Sequence, residues 1–514
     1  MVLTEKLPSA RVRSLGSMSE PKRILFFTSS EYGQANVVLA VASELLNMQK
    51  YEIHIASFSP LRRRVDELNK LTPRDGLRSV FHSIACPAAL DALVAKNEFI
   101  GPYSPGVRGA IKTYKVTLPA MASTWTEAEY MSSYQRCLDI INSVDPNIIV
   151  VDPLMSQGLE ACNTLSRKRV VLSPNTFLEL LRKEQPIYSQ LFKIPTVASG
   201  FSFPVPLHLI PANIYLKLAL LWSIITSPKI KALMRYRKSN QLPSLPPVFN
   251  LWQKENHYLV PSVPETDYPC HVPPNVTSCG PILLPVEPVF SQDPELLTWL
   301  KRSPTVLINL GSHIRMDETM ARDFTSGLKI FLDKKPNVQV LWKRKTSGGV
   351  AVTSNPKSSK GNAKTHVRKE KEILDSLSSE IATGRVRIVE WLSVDPSAIL
   401  GTGLVACCVH HGGSNSFHEA LHAGVPQIVL PCWLDTLDFA NKVEWLGIGV
   451  YGSKLSAPSV EAWELSRAFL KVLGDGEEAS QMALRAKELA EISGSYGGRK
   501  RACGKIVELL EDSW

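Results

Sequence analysis

No two of the nine cysteines stand in a Cys-x-x-Cys arrangement. An odd, dispersed set provides no disulfide framework and no zinc site, and fits buried thiols in a reducing compartment. Cys407 and Cys408 fall inside an apolar run and are expected in a core. The first 20 residues, "MVLTEKLPSARVRSLGSMSE", lack the apolar stretch of a secretory signal and are expected to be a loose tail. The sequon Asn275-Val276-Thr277 is then expected to be idle. No basic stripe is interleaved with aromatics, which argues against nucleic acid as a partner. Long hydrophobic runs are missing too. The longest, "IYLKLALLWSIIT" from Ile214 to Thr226, is broken by Lys217. It falls short of the roughly 20 residues that cross a bilayer. A membrane surface, an apolar pocket wall and a buried core all suit it. The expectation is a cytoplasmic protein, with residues 201–226 as the place for any peripheral membrane contact. Oligomeric state stays open.

What is present is an ordinary globular composition. The chain has 514 residues, 44% hydrophobic and 21% charged, which implies two or more domains. Its formal net charge of +10 suits an anionic ligand or an acidic membrane, and equally a solvated basic surface.

The chain opens with a strand, "RILFFTSS", a helix from Val37 to Met48 and a second strand, "YEIHIASF". "NIIVVDPLMSQGLEACNTL" repeats strand, turn and helix, and "KRVVLSPNT" adds a strand. Residues 21–245 therefore read as one doubly wound half. Dense proline marks 246–300 as a linker region. A second α/β pattern follows over 301–475: "TVLINLGS", a helix Glu318–Leu332, "VQVLWKRK" and "RVRIVEWL". Within it, 346–371 is polar and Gly/Ser-rich and reads as a flexible surface insertion. Residues 476–514 are expected to be helices that pack back on the first half. The turns after these strands carry polar residues and are expected to face one cleft at the carboxyl ends of both sheets.

One stretch stands out: "VHHGGSNSFHEALHAGVPQIVLPCWLD", Val409 to Asp435. An apolar strand leads into a glycine turn, a helix that stops at Gly424, and another strand from Val425 to Leu430. Free N–H groups and the dipole at such a helix start favour a phosphate. His410 and His418 are read as structural.

Trp391, His411, Gly413, Ser416, Glu419, Pro431 and Asp435 stand in the register of the nucleotide-sugar signature of the UDP-glycosyltransferases. The chain resembles that family (glycosyltransferase family 1), its fungal members most. The resemblance implies a GT-B fold, α/β with two Rossmann-like domains facing across a cleft. It implies an inverting hexosyltransferase that uses a UDP-sugar, without metal or other cofactor, on a lipophilic small-molecule acceptor. Trp391 would stack on uracil, and His411, Gly413, Asn415, Ser416 and Ser312 would hold the diphosphate. Glu419 would accept from the ribose, and Asp435 and Thr436 would meet the sugar. The segment 201–226 would supply acceptor walls.

Three positions depart from the family pattern. Val394 replaces a Gln after the Trp. Thr436 replaces a Gln after the acidic sugar contact, which puts glucose in question. Gln34 stands where the family has its base His, and an amide takes no proton at working pH. Asp152, which would have oriented that His, and Glu31 are the candidate bases; His54 lies mid-strand and reads as structural. A UDP-sugar-binding protein without turnover is the competing expectation.

Overall fold

A computed structural model describes residues 20–72, 76–96, 102–242, 246–311, 314–345, 350–352 and 372–512. Two parallel sheets organise it. The first holds β1 (Arg23–Phe27), β2 (Glu52–Phe58), β3 (Val80–Ile84), β4 (Ile148–Val151), β5 (Arg169–Leu172), β6 (His257–Val260) and β7 (Val276–Ser278), in the order β3-β2-β1-β4-β5-β6-β7. The second is built from β8 (Thr305–Asn309), β10 (Gln339–Lys343), β12 (Val386–Val389), β13 (Val405–His410), β14 (Gln427–Val429) and β15 (Gly449–Tyr451), in the order β12-β10-β8-β13-β14-β15. A separate pair joins β9 (Ile314–Met316) to β11 (Val350–Val352). The central strands are apolar on both faces because helices cover both. Ile24 to Phe27 and Ile148 to Val151 are fully or almost fully buried.

The proline-rich region 246–300 is not a plain linker. It carries β6 and β7, which complete the first sheet beside β5. Both strands are short, and prolines crowd around them without occupying them, so proline density masks them. Most of the expected insertion at 346–371 lies outside the described residues.

Chain order reverses between β1 and β4 in the first sheet and between β8 and β13 in the second. Ligands of such sheets bind at the carboxyl ends beside these switch points. The turns there and the helix starts that follow them carry Glu31 and Gln34, Asp152, Gly311, and His411 to Ser416.

The two halves share an apolar core. Tyr103, Tyr114, Phe201 and Leu216 cluster with Phe417, Leu437, Phe439 and Val443. The last helix, Arg499–Glu511, returns to the first half, where Ala502, Cys503 and Ile506 join the core of the helix Tyr32–Asn47. Arg499 pairs with Glu44 at 2.5 Å across that contact.

The apolar helix is longer than its sequence suggests. A 3-10 turn at Leu207–Leu209 runs into the helix Ile210–Thr226, and Pro211 sits in the first helical turn, where its missing N–H costs nothing. The 20-residue run Leu207–Thr226 is long and apolar enough to cross a membrane by length and composition. This corrects the shorter reading from Ile214.

Candidate functional site

Between the carboxyl ends of the two sheets lies a cavity of about 690 Å³. Glu31, Gln34, Trp391, His411, Gly413, Asn415, Ser416, Glu419 and Asp435 all line it. The sequence reading scattered these residues over some four hundred positions, and the fold brings them together.

At the second-half end the turn after β13 is built around two histidines with different tasks. His410 is fully buried. Its Nδ1 accepts from Gly412 N–H at 3.0 Å, and its Nε2 meets Gln427 Oε1 at 2.8 Å. An amide oxygen only accepts, so Nε2 carries the proton and the ring is neutral. Burial agrees, pushing its pKa down to about 4. Gly412 has φ +88°, and a Cβ there would lie 2.7 Å from the Thr436 carbonyl. His410 thus shapes the turn, and Gly412 lets it close.

His411 points the other way, into the cavity. Its ring lies between two glycines. A Cβ on Gly311 would come within 2.8 Å of the ring, and one on Gly413 within 2.6 Å. The helix Ser414–His422 begins immediately beyond, so its first free N–H groups open beside His411. The first helical turn thus starts at Ser414, directly after the glycine turn.

Glu419 lies one turn into that helix. Burial, then the nearby Asp395 charge, pushes its carboxyl up to about 8. Asp435 is raised to about 8 as well, by burial and then by Glu179. Trp391 is 54% exposed, unusual for so large an apolar ring, and lines the cavity. Lys343 Nζ sits 3.8 Å from the centre of that ring and 3.4 Å from the Gly311 carbonyl oxygen. Burial lowers its pKa to about 8. Lys343 was missed in the sequence, where "VQVLWKRK" reads only as a strand. Its position as the last residue of β10, at the carboxyl end of the sheet, was the available signal.

Two expected contacts behave differently. Thr436 is buried and does not line the cavity. Its Oγ1 accepts from Cys432 N–H at 3.1 Å and Trp433 N–H at 3.0 Å and donates to the Trp433 carbonyl. It holds the loop that carries Asp435, and its hydroxyl is engaged within that loop. Asn415 does line the cavity, yet its Nδ2 also donates to the Tyr32 carbonyl at 3.1 Å and ties the halves together. Ser312 lies outside the described residues.

At the first-half end, Gln34 is half-buried and its Oε1 has no hydrogen-bond partner among the described residues. Glu31 uses Oε1 to accept from Leu90 N–H at 3.3 Å, while its buried Oε2 has no such partner. Asp152 sits behind them, fully buried. It accepts from Leu154 N–H at 2.9 Å, Ser29 N–H at 3.3 Å and Thr28 Oγ1 at 3.4 Å. Burial outweighs these bonds and lifts its pKa to about 7. His54 pairs with His82 across β2 and β3 at 3.0 Å and does not line the cavity, in keeping with a structural histidine.

Beyond Glu31 the wall turns apolar, with Phe58, Leu90, Leu93, Met121, Trp125 and Leu233. None of residues 201–226 lines the cavity, so the expected acceptor wall from that segment is replaced by these shorter elements. Their apolar residues are spread over five separate segments, which hides the wall from any linear reading. Among the described residues there is no group of three or more His, Cys, Asp or Glu that could hold a metal ion.

Comparison with known proteins places this architecture. Residues 371–494 match the family model for the C-terminal domain of erythromycin biosynthesis protein CIII-like proteins. Glycosyltransferase sdnJ of Sordaria araneosa is 35% identical over 95% of this chain and 97% of its own length. A UDP-glycosyltransferase of Talaromyces amestolkiae is 29% identical over 48% of this chain and 44% of its own. Os79 from O. sativa, solved with U2F and trichothecene, superposes with a TM-score of 0.61 at 15% identity, covering 95% of this chain and 100% of that one. Phytolacca americana UGT2, solved with UDP-2fluoro-glucose and pterostilbene, gives 0.58 at 17% identity over 96% and 99%. At such identities the two structures speak for the shared fold.

Proposed function

The chain belongs to the UDP-glycosyltransferases of the GT-B fold, and we propose that it moves a hexose from a UDP-sugar to an oxygen of a lipophilic small molecule, with inversion at the anomeric carbon. The supporting observation is the two-ended cavity, with the nucleotide-sugar signature at one end and an apolar wall at the other. Uracil stacks on Trp391, and the ribose hydroxyls donate to Glu419. The diphosphate lies at His411 and the start of the helix Ser414–His422, with Lys343 nearby; these groups take its charge. Asp435 receives hydroxyls of the sugar.

The acceptor oxygen attacks the anomeric carbon from the side facing the first half. Its proton passes to the Glu31 carboxylate. The bond from that carbon to the β-phosphate oxygen breaks, and UDP leaves with the electron pair stabilised at the helix start. Gln34 fixes the acceptor hydroxyl through its amide, and Asp152 supports the turn behind Glu31. General-base assistance of this kind contributes about 10²–10⁴-fold.

The second reading is a protein that binds UDP-sugar without turnover, and Gln34 at the base position favours it. Product mass spectrometry separates the two. Wild type, Glu31→Gln and Gln34→His are each given a panel of UDP-sugars with lipophilic alcohols, phenols and carboxylic acids. The expected result is a hexose mass gain with wild type and a drop in kcat of about 10²-fold or more for Glu31→Gln, with KM for the donor little changed. Binding of UDP without product from wild type, and product from Gln34→His, overturns the transferase reading.

A further inference from the structure

The helix Ile210–Thr226 carries an apolar face that no other part of the described chain covers. Tyr215, Leu218, Trp222 and Ile225 follow one another at helical spacing, and each is more than half exposed. Leu207 and Leu221 extend the same exposed surface. The opposite face is tied down. Asn213 Nδ2 donates to the carbonyls of Leu191 and Ile194, both at 3.1 Å, and its Oδ1 accepts from Thr196 N–H at 2.7 Å. Ser223 Oγ donates to the Tyr114 carbonyl at 2.7 Å. Threading this helix across a bilayer would strip these buried polar groups of their partners, so it lies along the protein.

The chain around that face carries charge of one sign along its sequence. From Glu184 to Glu255 the sequence has no intervening Asp or Glu. Directly after the apolar helix comes the helix Pro228–Ser239, with Lys229, Lys231, Arg235 and Lys238 exposed. The helix Val107–Lys115, which packs against the apolar one, adds exposed Lys112 and Lys115. An exposed apolar stripe with aromatic residues, flanked by exposed Lys and Arg, is complementary to an anionic lipid surface. The basic helix is also continuous with the cavity, since its Leu233 lines the apolar end.

We propose that the helices Ile210–Thr226 and Pro228–Ser239 form a docking surface for an anionic lipid bilayer, lying on it and delivering acceptor from it to the apolar end of the cavity. The delivery step rests on the proposed transferase reading; the docking itself does not.

Flotation of the full chain with phosphatidylcholine vesicles, with and without phosphatidylserine, tests it. Wild type is expected to float with the anionic vesicles and to be released by high salt. The double variant Leu218→Glu/Trp222→Glu is expected to stay at the bottom while keeping wild-type UDP affinity, which shows it is folded. Reversal of Lys229, Lys231 and Arg235 to Glu is expected to weaken partitioning by about tenfold or more. Wild type that stays at the bottom with anionic vesicles, or a double variant that floats like wild type, overturns the proposal. So does a wild-type dimer by light scattering that the double variant dissociates, since a second copy then covers the face. Turnover on a water-soluble acceptor reports separately on sugar transfer.

Discussion

Asp152 shows how one buried side chain can be followed by its proton. Burial holds its carboxyl near 7, so the folded protein keeps this proton where an unfolded chain has released it. The associated stability is complete below about 4 and is lost as pH rises through 7. Buried histidines such as His410 and His418, both lowered to about 4, act in the opposite direction at lower pH. They cancel in a comparison with Asp152→Asn, which has no carboxyl to ionise. Relative to that variant, wild type is expected to lose about 2 kcal/mol between pH 5 and 8, read from urea denaturation midpoints. A difference that is flat with pH would show that Asp152 is ionised throughout. At this scale the sequence was most legible where spacing is rigid. Trp391, His411, Glu419 and Asp435 come from one strand–turn–helix and its neighbours, and all four meet in the cavity. Lys343 and Thr436 were misread because their roles depend on a ring and a loop from other elements.

The turn between β13 and the helix Ser414–His422 works as a unit. Gly413 has ordinary backbone angles, φ −71° and ψ 144°, so its need for glycine comes from the His411 ring alone. Gly413→Ala is expected to fold normally and to weaken UDP binding about tenfold by pushing that ring. Adding His411→Ala to it should then cost little more, a coupling that calorimetry on the double-mutant cycle reads directly. Independent, additive losses would mean that the ring does not contact the nucleotide. Most strands and helices were readable from apolar runs and their glycine stops. β6 and β7 were not, because strands of four and three residues among prolines carry too little pattern to outweigh the breakers around them. The helical run Leu207–Thr226 exceeds the apolar stretch from Ile214 because it continues through Asn213 and Pro211, which sits where a helix tolerates it.

Across the whole molecule, the halves are held by more than the ligand site. Lys442 and Asp267 form an ion pair that is 3% and 0% exposed, joining the second half to the first. Asp267 also accepts from Phe177 N–H at 2.9 Å. Asp267→Asn removes the carboxylate hydrogen-bonded to a buried ammonium and is expected to cost about 3 kcal/mol or more. Replacing Lys442 by Met in that background should recover a large part of the loss, and thermal melts of both variants check it. The α/β class, the two halves and their facing arrangement were legible because strand, turn and helix alternate twice. The acceptor wall was not, since Phe58, Leu90, Met121, Trp125 and Leu233 approach only after five segments have packed. The sequence could not say what replaces the base either. Gln34 is plainly not one, and of the two candidates Glu31 lines the cavity while Asp152 does not.

The central claim is that the turn after β13 and the strand-end Trp391 hold the UDP part of a sugar donor. Calorimetry of UDP with wild type, His411→Ala and Glu419→Ala tests it most directly. Wild type should bind, and each variant should bind at least about tenfold more weakly, a loss of about 1.4 kcal/mol or more. Unchanged affinity in both variants would contradict the claim and place the nucleotide elsewhere.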